Sequence, residues 1–255
     1  MESADKNVKP ENFEFTPFIR PLKPLNETEF RNYLKQLEGR QDKIIRTKQQ
    51  FGSLKDAHEK LPEYLEAKKL FNELREKYNI ESPKMEAVVG ELDYYVTLFI
   101  VVDKIEGRGL LTDKFSVGER PAASKAIDGF YAGLIEYYTD KYKNGGNYLS
   151  DLRGMNFMYG HKAGEKRDRP YVVDVDPYYA AYDEENRGLD TNYHLFHSVI
   201  SASAEIGHLE YNLGGAVLEK SREKLQLFCG GVPRSDPYYA DLEVIRRVIL
   251  GDSNE

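Results

Sequence analysis

Tryptophan is absent from this chain of 255 residues, and cysteine occurs once, at Cys229. A single thiol can form neither an internal disulfide nor a multi-cysteine zinc site, which fits a cytoplasmic or other reducing compartment. Long apolar runs are missing too. The most apolar stretch, Tyr94 to Val102, spans nine residues, well short of the roughly 20 needed to cross a bilayer. The opening Met1-Glu2-Ser3-Ala4-Asp5-Lys6 has neither the apolar core of a signal peptide nor the Arg-rich character of a transit peptide, so the mature chain is expected to start here. The sequon Asn26-Glu27-Thr28 is then a chance match.

Basic residues are outnumbered: 36 Lys and Arg face 43 Asp and Glu, for a formal charge of -7. Bulk coating of a phosphate backbone needs clustered cations, so nucleic-acid binding of that kind is not expected. Gly107-x-Gly109 lacks the third glycine of a dinucleotide fingerprint, and neither a Walker-type run nor Gly-x-Ser-x-Gly occurs. Cys229 falls at a helix C-terminus, where the helix dipole opposes a thiolate, so a structural thiol is expected there.

What the chain does hold is amphipathic pattern. Asn26 followed by Glu29 reads as a helix start, and Phe30, Leu37, Ile44 and Phe51 recur every seven residues, predicting one charged helix up to Gly52. Ser53 with Asp56 repeats the start signal. Pro62 is expected to divide a short turn from a second helix bearing Ala67, Leu70, Phe71, Leu74 and Tyr78, which makes residues 26–80 a helical hairpin. Ser82-Pro83 would open a third helix, buried and central, reaching about Glu106. Pro121 starts a fourth, terminated at Asn144-Gly145-Gly146.

Residues 147–175 read as a long loop, with a strand near 169–175. Asp176-Pro177-Tyr178-Tyr179-Ala180 recurs as Asp236-Pro237-Tyr238-Tyr239-Ala240, two similar caps expected to begin helices at 177 and 237. Helices from Thr191 to Leu213 and from Ala216 to Phe228 flank Gly214-Gly215. The expected fold is mainly α: a single domain over residues 26–251, a multi-helix bundle of seven or eight helices with at most a minor strand, preceded by an extended arm over residues 1–25.

Two sets of residues carry functional expectations. Phe13, Phe15, Phe18, Ile19 and Leu22 of the proline-punctuated arm are too apolar for a free tail, and Lys166, Arg167 and Arg169 give the long loop a basic face. With nineteen tyrosines, rings suited to half-buried contacts, these favour a non-catalytic structural or adaptor subunit that assembles with a protein partner or with itself, without a cofactor. The alternative is a helical-bundle enzyme or ligand binder. Glu205-x-x-His208 puts a carboxylate and an imidazole one turn apart, and Glu91 and Glu136, expected on the third and fourth helices, would complete an iron, manganese or zinc site. No second Glu-x-x-His exists, and His194 and His208 would be about 21 Å apart on one helix, too far to share an ion. The polar strip of that helix is therefore expected to face solvent.

Overall fold

The computed structural model describes residues 26–38, 40, 42–92, 95–112, 114–149, 152–173 and 191–250. The arm, with Phe13, Phe15, Phe18, Ile19 and Leu22, and the cap expected at 177 lie outside them. The chain divides into two units. Unit 1 takes Met1–Leu65 and Pro83–Lys104, and unit 2 takes Glu66–Ser82 and Ile105–Glu255.

In unit 1 the helix α1 (Glu27–Glu38) begins as expected. Asn26 Oδ1 accepts the Glu29 N–H, and Glu29 Oε2 accepts the Asn26 N–H, each at 3.0 Å, a reciprocal cap that satisfies two otherwise orphaned donors. The helix does not run on to Phe51. Strand β1 (Lys43–Phe51) follows, so the seven-residue spacing of Phe30, Leu37, Ile44 and Phe51 crosses two kinds of element. The consecutive β-branched Ile44 and Ile45, with Thr47, prefer the extended chain, and that preference outweighs the heptad.

The expected central helix over 83–106 is likewise an antiparallel pair, β2 (Met85–Leu92) and β3 (Tyr95–Asp103), in a sheet of order β1-β3-β2. Short apolar runs look alike as buried helix or buried strand, and the Val and Ile content decides for strand. Register sets Val89 opposite Leu98 and Ile44 opposite Val102. Phe30 and Leu37 of α1 bury against Val101, with Tyr33 and Leu34 packed beside them. A Cβ on Gly90 of β2 would come within 2.4 Å of the Phe30 ring, so the glycine lets the ring lie on the sheet. Lys43 and Asp103 pair across β1 and β3.

Ser53 starts α2 (Leu54–Tyr78) by accepting the Asp56 N–H at 3.2 Å. Pro62 lies inside this single helix and does not divide it. Proline removes one donor from the ladder, a local loss, and the apolar face from Ala67 to Tyr78, almost wholly buried in unit 2, holds the helix beyond it.

Unit 2 is built on α3 (Arg120–Asn144), which starts with proline in its first turn and ends at Gly145 with φ 70°, as the sequence predicts. Ile127, Phe130, Tyr131, Leu134, Ile135, Tyr137 and Tyr138 are buried along it. A second antiparallel sheet has the order β4 (Ile105–Gly109), β5 (Phe157–Lys162) and β6 (Arg169–Val172), with a 3-10 turn at Gly154–Asn156 leading into β5. The strand expected near 169–175 is β6, and β5 is a second strand inside the expected loop. Helix α4 (Thr191–Asn212) stops at Gly214 and Gly215, both with positive φ, before α5 (Glu219–Gly231). The Asp236-Pro237 cap closes only a turn, its carboxylate accepting the Tyr238 N–H at 2.9 Å, and α6 starts later, at Leu242–Leu250.

The fold is therefore mixed. Two three-stranded antiparallel sheets among the described residues correct the expectation of a helical bundle with at most a minor strand. Among the described residues no helix is long and apolar enough to cross a membrane.

Candidate functional site

The residues of the expected metal site fall in separate places. Glu91 is exposed on strand β2 of unit 1, not on a helix. Glu136 is exposed on α3 and pairs with Lys224 at 2.7 Å. His208 Nε2 lies 3.1 Å from the Leu111 carbonyl and 3.0 Å from Asn212 Nδ2; it donates in the first contact and accepts in the second, so one tautomer serves only one of them. Among the described residues no three His, Cys, Asp or Glu side chains gather where they could hold an ion.

The polar strip of α4 faces solvent only in part: Ser201 and His208 are exposed, whereas Glu205 is half-buried. Glu205 Oε2 accepts from the Tyr131 hydroxyl and its Oε1 from the Gly154 N–H, both at 2.7 Å. Burial pushes the Glu205 carboxyl above the usual carboxylate range, while these two donors pull it the other way. Tyr131, wholly enclosed, is raised well above an ordinary phenol, so it stays a hydroxyl and a donor. Asn212, one end of the same strip, is buried.

Glu205 is one of several grips on the segment 148–156. The Tyr137 hydroxyl accepts the Leu149 N–H at 2.8 Å, and the Tyr138 hydroxyl donates to the Leu152 carbonyl at 3.0 Å. Tyrosines 131, 137 and 138 are core residues that use their polar tips inside unit 2. Phe157 closes the arrangement from below, edge-on to Phe130 at 4.9 Å and to Tyr131 at 6.1 Å.

Asn156 stands at the end of this gripped turn. Its N–H donates to the Arg153 carbonyl at 2.8 Å, and its carbonyl accepts the Val173 N–H at 2.9 Å. The next residue along, Phe157, accepts from Leu110 N–H at 3.0 Å. The backbone around Asn156 is therefore fixed by its own turn, by the chain leaving β6 and by the link out of β4.

In the basic stretch, Arg169 is engaged by Glu81 at 3.2 Å and Glu165 at 2.7 Å, while Lys166 and Arg167 are exposed. Cys229 is half-buried, and burial raises its thiol, in keeping with a structural role.

Sequence reasoning passed over Asn156 because it took residues 147–175 as a loop. A signal was present: Asp151-Leu152-Arg153-Gly154-Met155-Asn156 sets an acid and an amide five positions apart just before an apolar strand, and Asp174 follows the strand that pairs with it. No protein-family model matches the chain, and no curated protein matches it.

Proposed function

We propose that unit 2 binds a divalent cation with a phosphate-bearing ligand, a nucleoside triphosphate being the simplest, at the turn carrying Asn156, and that the chemistry served is phosphoryl transfer. The observation that carries this reading is the 2.9 Å bond from the Val173 N–H to the Asn156 carbonyl, which ties the residue preceding Asp174 to Asn156. Protein-kinase catalytic loops use the run Asp-Leu-x-x-x-Asn, whose Asp orients the attacking hydroxyl and whose Asn holds a cation together with a second, later Asp. Asp151-Leu152-x-x-x-Asn156 has that spacing, and Asp174 stands in the place of the later acid. Asp151 and Asp174 lie outside the described residues and enter through the sequence alone. Leu149-Ser150 stands where that run carries His-Arg, and Val175-Asp176 where the later Asp is followed by Phe-Gly.

Asn156 and Asp174 would hold the cation, which would neutralise charge on the phosphate oxygens. The six-residue run is a weak signal by itself. Its support comes from an antiparallel β5–β6 pair that begins just after Asn156 and ends before Asp174, with a backbone bond from Val173 to Asn156 joining the two ends.

Magnesium-ATP titrated into the purified chain tests the reading. A ligand at about a hundred times its Kd adds about 2.7 kcal/mol to stability, so the melting temperature should rise with magnesium and ATP together. Asn156→Ala and Asp174→Ala should abolish the magnesium-dependent part. No rise at millimolar magnesium-ATP would dismiss the reading.

A second reading, assembly with a protein partner or another copy of the chain through the arm and the loop, is favoured by large apolar side chains standing in solvent: Val117 is 76% exposed, Met155 74% and Tyr211 69%. Lys166 and Arg167 add exposed charge next to β6. Deleting residues 1–25 and weighing the product by light scattering tests it, since a full-length chain that is already monomeric would remove self-assembly through the arm.

A further inference from the structure

We infer that Glu205 is a positioning residue for the turn that presents Asn156. For its consequence at a phosphate ligand this rests on the reading above; as a statement about the turn it stands alone.

The geometry is that of a clamp with two jaws. One carboxylate oxygen takes the Gly154 N–H and the other takes the Tyr131 hydroxyl, so a single side chain on α4 ties α3 to the first residue of the 3-10 turn. Gly154 is required for the closeness of this grip. A Cβ there would lie 2.0 Å from Leu111 Cδ1 and 3.1 Å from the Glu205 carboxyl carbon, so any side chain would have to displace Leu111 and crowd the carboxylate. The backbone of Asn156 is then set two residues downstream, by its own bonds to Arg153 and Val173. Glu205 is half-buried, and each of its oxygens takes one donor from the protein itself, so its contacts are those of a structural tie. What it supplies is a fixed starting point from which the Asn156 carbonyl meets the Val173 N–H.

The inference separates reach from charge, and two mild variants test the separation. Glu205→Asp keeps the charge and withdraws the carboxylate by one methylene, out of reach of Gly154. Glu205→Gln loses the charge and keeps an acceptor at the same distance, with the amide NH2 turned to the Tyr131 oxygen. Hydrogen exchange over residues 152–157 should speed up by about tenfold in Glu205→Asp and stay near the wild-type rate in Glu205→Gln, while α5 exchanges equally in all three. Equal exchange in both variants, or faster exchange in Glu205→Gln, would overturn the inference.

Titration of magnesium-ATP into the same samples supplies the functional arm. Affinity should weaken about tenfold in Glu205→Asp and be retained in Glu205→Gln, the direction expected when the binding-competent conformation is depopulated. A wild-type chain that ignores magnesium-ATP refutes the phosphate reading and leaves the exchange result to decide the clamp. A wild-type chain that binds it, with all exchange rates alike, refutes the clamp and leaves the phosphate reading in place.

Discussion

Unit 1 and unit 2 each carry a three-stranded antiparallel sheet, yet they are held by different means. Around its sheet, unit 1 has apolar contact, Phe30 and Leu37 on Val101 with a glycine at 90 that lets the ring descend, and one ion pair, Lys43 with Asp103. In unit 2 the segment leading into β5 is fastened by three buried tyrosine hydroxyls and one half-buried carboxylate, most of them bonded to main-chain atoms. Apolar contact is non-directional and tolerates small shifts, whereas a buried hydrogen bond is directional and costly to leave unmade. Unit 1 is thereby built for cohesion, and unit 2 for the exact placement of one turn.

Removing the ring in unit 1 should cost most. Phe30→Ala leaves a cavity beneath α1, and a loss of about 3–5 kcal/mol is expected by denaturant unfolding. An equally small loss as for an exposed site would show that the sheet does not depend on that contact. Next comes the polar side of the comparison. Tyr138→Phe deletes one hydroxyl and strands the buried Leu152 carbonyl, for about 1–3 kcal/mol, with faster exchange over 148–156 as its signature.

A smaller effect is expected at the edge of unit 2. The Lys77 ammonium and the Tyr78 hydroxyl, each 2.6 Å away, hold the Asp140 carboxyl down to about 2. A depressed carboxyl stabilises the fold above its unfolded value of 3.8, and that contribution disappears as the pH falls through the window down to about 2. Asp140→Asn should cost about 1 kcal/mol near neutrality and flatten this acid limb. An unchanged limb would locate acid sensitivity elsewhere. The smallest change belongs to Arg31→Ala, which breaks an exposed pair with Glu27 at 2.8 Å on α1; about 0.3–0.5 kcal/mol is expected, fading in high salt.

Sequence pattern made the element ends legible and left the identity of several elements hidden. Asn26 with Glu29, Ser53 with Asp56, Pro121, Gly145 and Gly214-Gly215 all act through neighbours within a few positions, and each marks a real boundary. The stretches 43–51 and 85–103 were opaque for a different reason. Their apolar residues meet partners on neighbouring strands, and the spacing of such a run does not distinguish it from a helix buried on all sides; only its β-branched content does. The candidate site shows the same division. Glu205 stood out as a carboxylate on a helix, but its hydrogen-bond partners are Gly154, 51 positions away, and Tyr131, 74 positions away. Asn156 gave only a short run inside a stretch lacking periodicity.

The phenol and carboxylate anchors of unit 2 mostly take hold of amide and carbonyl groups. An anchor of that kind recognises where the chain passes and is indifferent to which side chain it carries. Met155, exposed between Gly154 and Asn156, is thus open to replacement without loosening the turn, so this position can change while the path of the segment through the protein is preserved.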